Sequence, residues 1–187
     1  MRMKPFEITL AALFAALTAI GAYISIPLYL VPITLQTFFV YLAGAVLGGR
    51  LAALSQLVYI GLGGVGFPVF AGGMAGFGVL LGPTGGYLAG FVLGAYVIGK
   101  LTELKGERRF VYVFLSMLLG TAIIYSLGAV QLSFYLDFSL KRAVAVGVLP
   151  FLPGDALKMA LAAYVASTRH MRSLALKIKA ASRKKNL

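Results

Sequence analysis

The chain has 187 residues, 60% of them hydrophobic and 12% charged, with a net charge of +12 and no cysteine, and its mean hydropathy is +0.94. This composition excludes a soluble globule with a polar surface and points to an all-α integral membrane protein; with about 20 apolar residues per crossing, residues 1–187 hold roughly six spans and no separate soluble domain. The missing thiols exclude disulfides, thiolate nucleophiles and thiolate metal sites, and the basic residues fall beside apolar runs rather than on a solvated domain, which speaks for membrane topology and against nucleic acid.

The first predicted helix covers residues 7–26. Its basic start and apolar run resemble a secretion signal, but no cleavage site followed by a soluble chain appears, so it is read as the first transmembrane helix. Ala11, Ala15 and Ala19 recur at spacing four, and Ala12 and Ala16 repeat the pattern one residue along. Such small-residue faces serve either internal packing or docking of another membrane subunit. An uncharged, proline-rich link, "PLYLVPITLQ" from Pro27, leads into a helix at 33–48. Another follows at 51–66. Both are short for a full crossing and are bounded by Pro32, by the "GGR" of Gly48 to Arg50, and by glycines 61, 63, 64 and 66, so they are expected to be the least regular part of the bundle.

Gly66 to Tyr87, "GFPVFAGGMAGFGVLLGPTGGY", carries no charge at all. Irregular backbone at membrane depth must be buried in protein or line a cavity, so this loop is a candidate lid; the other reading is a mobile apolar loop at the headgroup boundary. The helix at 84–101 bears glycines 82, 86, 90 and 94 in one stripe, a packing feature. A helix at 110–131 follows. The stretch "SLKRAVAVGVLPFLPGD" then predicts a short outer helix, a turn at Phe151 and Leu152, and a last span at 153–172, because proline fits a first helical turn and disfavours helix before it.

Lysine and arginine near span ends favour the cytoplasmic side. One face of this arrangement receives Arg2, Lys4, Arg50, Lys100, Lys105, Arg108, Arg109 and the C-terminal run from Arg169 to Lys185, whereas the other receives only Lys141 and Arg142. An even number of helices with both termini cytoplasmic is therefore expected. The C-terminal basic run reads as a topology signal and a contact for lipid headgroups.

Lys158 is the one basic residue inside a span, and Asp155 precedes it by one helical turn. The aspartate could be stabilised by the free N–H groups and dipole of a helix start. The same dipole disfavours a lysine, so capping does not account for Lys158. At spacing three the two side chains share a face, and a charge in hydrocarbon costs roughly 2.5–3.5 kcal/mol, so both must point inward. They either pair as a structural salt bridge or converge on a polar ligand that uses their remaining hydrogen-bonding capacity.

An intramembrane enzyme is disfavoured, because His170 is the single histidine and lies at the far end of the last span. It builds no Ser-His pair or metal site with Asp155. No G-x-x-x-x-G-K-[ST] loop is present, so the chain carries no ATPase of that kind.

Three stretches, "VPITLQTFFVYLAG" from Val31, "GGVGFPVFAGGMAGFGVLLGPTGGYLAGF" from Gly63 and "LPFLPGDALKMALAA" from Leu149, together resemble the BioY family, the biotin-binding S component of energy-coupling factor (ECF) transporters. The resemblance runs the length of the chain. It implies a six-helix transmembrane bundle in the cell membrane, biotin as substrate, no cofactor or metal, and a transmembrane T subunit with two cytoplasmic ATPases as partners. It further implies that Asp155 and Lys158, in the family's GD-x-x-K motif, contact biotin, that the loop through Gly73 and Phe77 closes over it, and that Ala11, Ala12, Ala15 and Ala16 face the T subunit. The family's further polar contacts have no clear counterpart here, as the fourth span lacks arginine and the outer loop lacks asparagine; Thr34, Gln36 and Tyr87 are the nearest stand-ins.

Overall fold

Apolar runs in this chain fold as helices, several of which stop at a glycine, as α2 does at Gly48. In the computed structural model, which describes residues 4–27, 31–105 and 109–183, α1 spans Pro5–Tyr23, α2 Gln36–Leu47, α3 Gly49–Gly64, α4 Phe77–Leu81, α5 Gly85–Lys105, α6 Phe110–Leu136, α7 Leu140–Gly147, α8 Leu152–Ala166 and α9 Arg169–Arg183. Single 3-10 turns occupy Ala71–Gly73 and Leu149–Phe151, and a two-residue ladder, β1 (Ser25–Ile26) and β2 (Ile33–Thr34), pairs antiparallel with Ser25 opposite Thr34.

Four segments are long and apolar enough to cross a membrane: Pro5–Tyr23, Gly85–Leu104, Phe110–Leu136 and Leu140–Ala166. The last is not one rod, since it comprises α7, a 3-10 turn and α8. α2 and α3, at 12 and 16 residues, are the short pair expected from the sequence. Leu13, Ile20, Leu57, Leu93, Leu119 and Leu161 all expose half or more of their surface. Spread along several helices, they form a face suited to acyl chains rather than water, and the chain is a multi-pass membrane protein.

Helix α2 occupies the centre, against α1, α3, α5 and α8. Val40, Tyr41, Ala43, Ala45 and Val46 are fully buried, as a helix hydrophobic on all sides must be. It passes into α3 at a single left-handed residue, Gly48, with φ +82°. A side chain there would collide with Glu103, whose Oε1 accepts the Gly49 N–H at 3.1 Å and so caps the start of α3. Lys100 lies 3.6 Å from the same carboxylate, and Lys179 of α9 donates to the Glu103 carbonyl at 2.9 Å. Glu103 thus joins the last turns of α5 to the start of α3 and to α9.

Several boundaries differ from the sequence-based expectation. Residues 33–34, assigned to the second helix, are β2, because the Leu35 N–H bonds back to the carbonyls of Gly21 and Ile24 and folds the link against α1. The helix expected at 110–131 runs on to Leu136, ending at Asp137 in the left-handed conformation. The last span was expected to reach 172 but stops at Ala166, and the Thr168 hydroxyl turns back to the Val165 carbonyl. His170 therefore lies on α9. In that helix Ala175 and Ile178 are buried, with Met171 and Leu174 packed beside the core, while Arg169, Arg172 and Lys177 face outward.

Candidate functional site

Chain direction brings the ends of α1, α3 and α6 together with the starts of α2, α5 and α8. At this end of the bundle lies an open-mouthed cavity with about 620 Å³ of empty space, the solvent at its mouth included. Its walls are Val31, Pro32 and Thr34 from the first link, Phe70, Ala71, Met74 and Val79 from the long loop, Leu88 and Phe91 from α5, Ile124 from α6, and Phe151. Its polar lining comes from Thr34, from Gln36 and Thr37 of α2, from Thr84 and Tyr87 where α5 begins, from Tyr125 of α6, and from Asp155 with Lys158 of α8.

Pro150 and Pro153 account for the placing of that charged pair. They break the chain after α7 and start α8 at Leu152, which sets Asp155 in its first turn, 2% exposed. Asp155 does not cap its own helix; no side chain caps the α8 N-terminus. Instead Oδ1 accepts from Lys158 at 2.5 Å and Thr37 at 2.9 Å. Oδ2 accepts from Tyr125 at 2.7 Å and Tyr41 at 3.3 Å. A carboxylate has about four lone-pair sites, and here each meets a donor. The Lys158 ammonium, besides Asp155, donates to the Thr34 carbonyl at 2.7 Å and to Thr37 Oγ1 at 3.1 Å. All three of its protons are used.

This overturns one step of the sequence argument. A ligand is not required to complete the hydrogen bonding of the buried pair, because hydroxyl groups of α2 and α6 and a loop carbonyl already do so. A polar ligand arriving here would exchange hydrogen bonds with these groups rather than satisfy empty ones. Thr37, Tyr41 and Tyr125 were missed from the sequence. The available signal was a pair of hydroxyl residues four apart in each of two apolar helices, Thr37 with Tyr41 and Thr121 with Tyr125, and Thr121 in fact contacts the Tyr41 hydroxyl at 2.9 Å.

The long loop between α3 and α5 folds onto the bundle. Phe70 is 1% exposed, with its ring in a notch left by Gly63 and edge-on to Tyr59 at 5.6 Å. The loop's carbonyls are held from the helices: Pro68 by the Tyr23 hydroxyl, Val69 by Tyr59 at 3.1 Å, and Leu80 and Gly82 by the Gln131 amide at 2.9 and 2.6 Å. Between these anchors Gly72 and Gly73 adopt φ of +69° and +74°, a turn that a side chain would strain.

Of the expected contact residues, Thr34, Gln36, Tyr87, Asp155 and Lys158 line one cavity, whereas Gly73 and Phe77 do not, although their neighbours Ala71 and Met74 do. Tyr87 presents its ring to the cavity while its hydroxyl donates to the Gly147 carbonyl at 2.8 Å. The alanines of α1 divide by face. Ala11 and Ala15 are 2% and 1% exposed inside the bundle, which makes theirs the internal-packing face; Ala12 and Ala16 are exposed.

The sequence profile of the BioY family matches residues 1–175. The biotin transporter BioY of Thermotoga maritima is 47% identical over 156 residues, covering 83% of this chain and 90% of that one. A probable biotin transporter BioY of Pyrococcus horikoshii is 44% identical over 164 residues, covering 88% and 96%. Among solved structures, the 2.1 Å crystal structure of the S component for biotin from an ECF-type ABC transporter superposes with a TM-score of 0.81 at 29% identity, over 92% of this chain and 94% of that one. With a profile match over most of its length and relatives this similar, the chain belongs to the BioY family.

Proposed function

We propose that this protein takes up biotin across the cytoplasmic membrane as the S component of an ATP-driven ECF transporter, a binding subunit and not an enzyme. The observation that carries the proposal is the cavity of a BioY-family chain, lined largely by apolar side chains, with Asp155 and Lys158 as its charged pair. Biotin matches that polarity. Its ureido ring has two N–H donors and a carbonyl, its valeryl chain is apolar, and its tail is a carboxylate. The Asp155 network would receive the ureido N–H groups, Lys158, in contact with Asp155, the ureido carbonyl beside them, and Leu88, Phe91 and Ile124 the hydrocarbon.

In this reading the chain is one six-crossing domain, with α7 and α8 sharing the last crossing and both termini cytoplasmic. The cavity then opens outward, because Arg50, Lys100 and Arg169 lie at the opposite helix ends. The loop through Gly73 and Phe77 would close the mouth after capture. The exposed Ala12 and Ala16 would admit close approach by a transmembrane T subunit, which with two ATPases supplies the energy the chain cannot. An S component for another vitamin would share the fold but not this pocket chemistry. Titration of the purified chain in lipid nanodiscs with labelled biotin separates the two: saturable binding at one ligand per chain, displaced by unlabelled biotin and not by thiamine or riboflavin, is the expected result. Equal displacement by another vitamin would contradict the assignment.

A further inference from the structure

One line of hydrogen bonds leaves the charged pair and ends on the outer loop. Lys158 donates to the Thr34 carbonyl at 2.7 Å. The Thr34 hydroxyl donates to Gln36 Oε1 at 2.8 Å. Gln36 Nε2 donates to the Tyr59 hydroxyl at 2.6 Å, and Tyr59 donates to the Val69 carbonyl at 3.1 Å. Each link is used once and in one direction, and the side chains in the middle are buried: Gln36 at 5% exposure and Tyr59 at 0%. Val69 is where the loop turns back onto the bundle, immediately before the buried Phe70 that walls the cavity.

We infer that Gln36 and Tyr59 are positioning residues that couple the bonding of Lys158 to the seating of the outer loop at Val69 and Phe70. Three features support coupling rather than separate local bonds. Thr34 lies in β2 and takes part through both its carbonyl and its hydroxyl, so displacement of that residue is felt at both ends. Buried polar groups in such a chain polarise one another, and loss of one link leaves its neighbours unpaired in a dry environment. Among the acceptors of Lys158, only the Thr34 carbonyl lies outside the hydrogen-bond network of Asp155. It is the one that an incoming acceptor replaces without disturbing the carboxylate. The consequence for ligand capture rests on the proposed function; the coupling itself does not.

A ligand-free double-mutant cycle decides the coupling. Thr34→Val removes the second link and keeps the carbonyl, and Tyr59→Phe removes the hydroxyl but retains the ring against Phe70. The measurement is amide hydrogen exchange of the loop segment 69–76, whose Phe70, Gly73 and Gly76 N–H groups are all bonded in the closed arrangement. Each single change is expected to speed exchange by roughly tenfold, and the double change by little more than either alone. Independent bonds would multiply the effects, and an unchanged exchange rate in either single variant would equally overturn the inference. Should Tyr59→Phe fail to fold, Gln36→Met cuts the same line and carries the same expectation. In a second arm, saturating biotin changes exchange of residues 69–76 by a smaller factor in Tyr59→Phe than in the wild type; the same factor in both contradicts the link from Lys158. Absence of biotin binding to the wild type contradicts the proposed function instead, and the ligand-free cycle still decides the coupling.

Discussion

Replacing Lys158 with methionine is expected to destabilise the folded chain by about 3–5 kcal/mol, and adding Asp155→Asn is expected to restore most of that loss. Both side chains of the pair are buried, at 13% and 3% exposure. Removing the ammonium leaves a carboxylate that still has Thr37, Tyr41 and Tyr125 as donors but no counter-charge, and breaking a buried pair costs far more than the pair contributes. Neutralising the aspartate as well removes the uncompensated charge, and an asparagine of similar shape accepts at its oxygen while its NH2 donates to hydroxyl groups that can turn to accept. Unfolding in mixed micelles, followed by circular dichroism, measures both variants. A loss under about 1 kcal/mol for Lys158→Met would show the carboxylate to be solvated or protonated and the network of little energetic account.

The second large effect is steric and lies in the glycine stripe of α5. α5 and α6 pack antiparallel so closely that a Cβ at Gly86 would sit 2.2 Å from the Leu127 carbonyl oxygen, one at Gly90 2.7 Å from Ile124 Cα, and one at Gly94 3.0 Å from the Gly120 oxygen. These neighbours are backbone and cannot rotate away. Gly90→Leu should force the helices apart and cost at least about 3 kcal/mol, the upper part of the range for overpacking, with Gly90→Ala intermediate. The same helices carry Phe91, Ile124 and Tyr125 of the cavity wall, so ligand binding should fail together with folding. A leucine variant with wild-type thermal stability and binding would contradict this packing.

Which parts of the molecule were legible in the sequence follows from the range of the forces involved. Pro150 and Pro153 act on their own backbone, so the break before α8 and the position of Asp155 could be read locally, as could the shared face of Asp155 and Lys158. The glycine stripe was legible as packing because spacing four in a helix leaves little else for it to mean. The partners of the charged pair were not. Thr37, Tyr41 and Tyr125 reach Asp155 across separations of 118, 114 and 30 residues, and nothing local announces a contact of that span. The alanines of α1 show another limit: spacing identifies two small-residue faces, at Ala11 with Ala15 and at Ala12 with Ala16, but which turns inward is decided by α2 and α3. The end of α8 was missed because Met171, Leu174, Ala175 and Ile178 continue a helical apolar period past Ala166 with no proline or glycine to mark the break.

The role proposed for Asp155 and Lys158 is polar recognition of biotin. Its most direct test is the affinity of Asp155→Asn for biotin, measured beside the wild type in nanodiscs and restricted to the folded fraction. The variant keeps the size of the side chain and one of its two accepting oxygens, puts an NH2 donor in place of the other, and removes the charge that ureido N–H groups would meet. Loss of a charged hydrogen bond predicts binding weaker by roughly 10- to 100-fold. An unchanged affinity in a folded variant would place the ligand elsewhere and leave the pair a structural salt bridge.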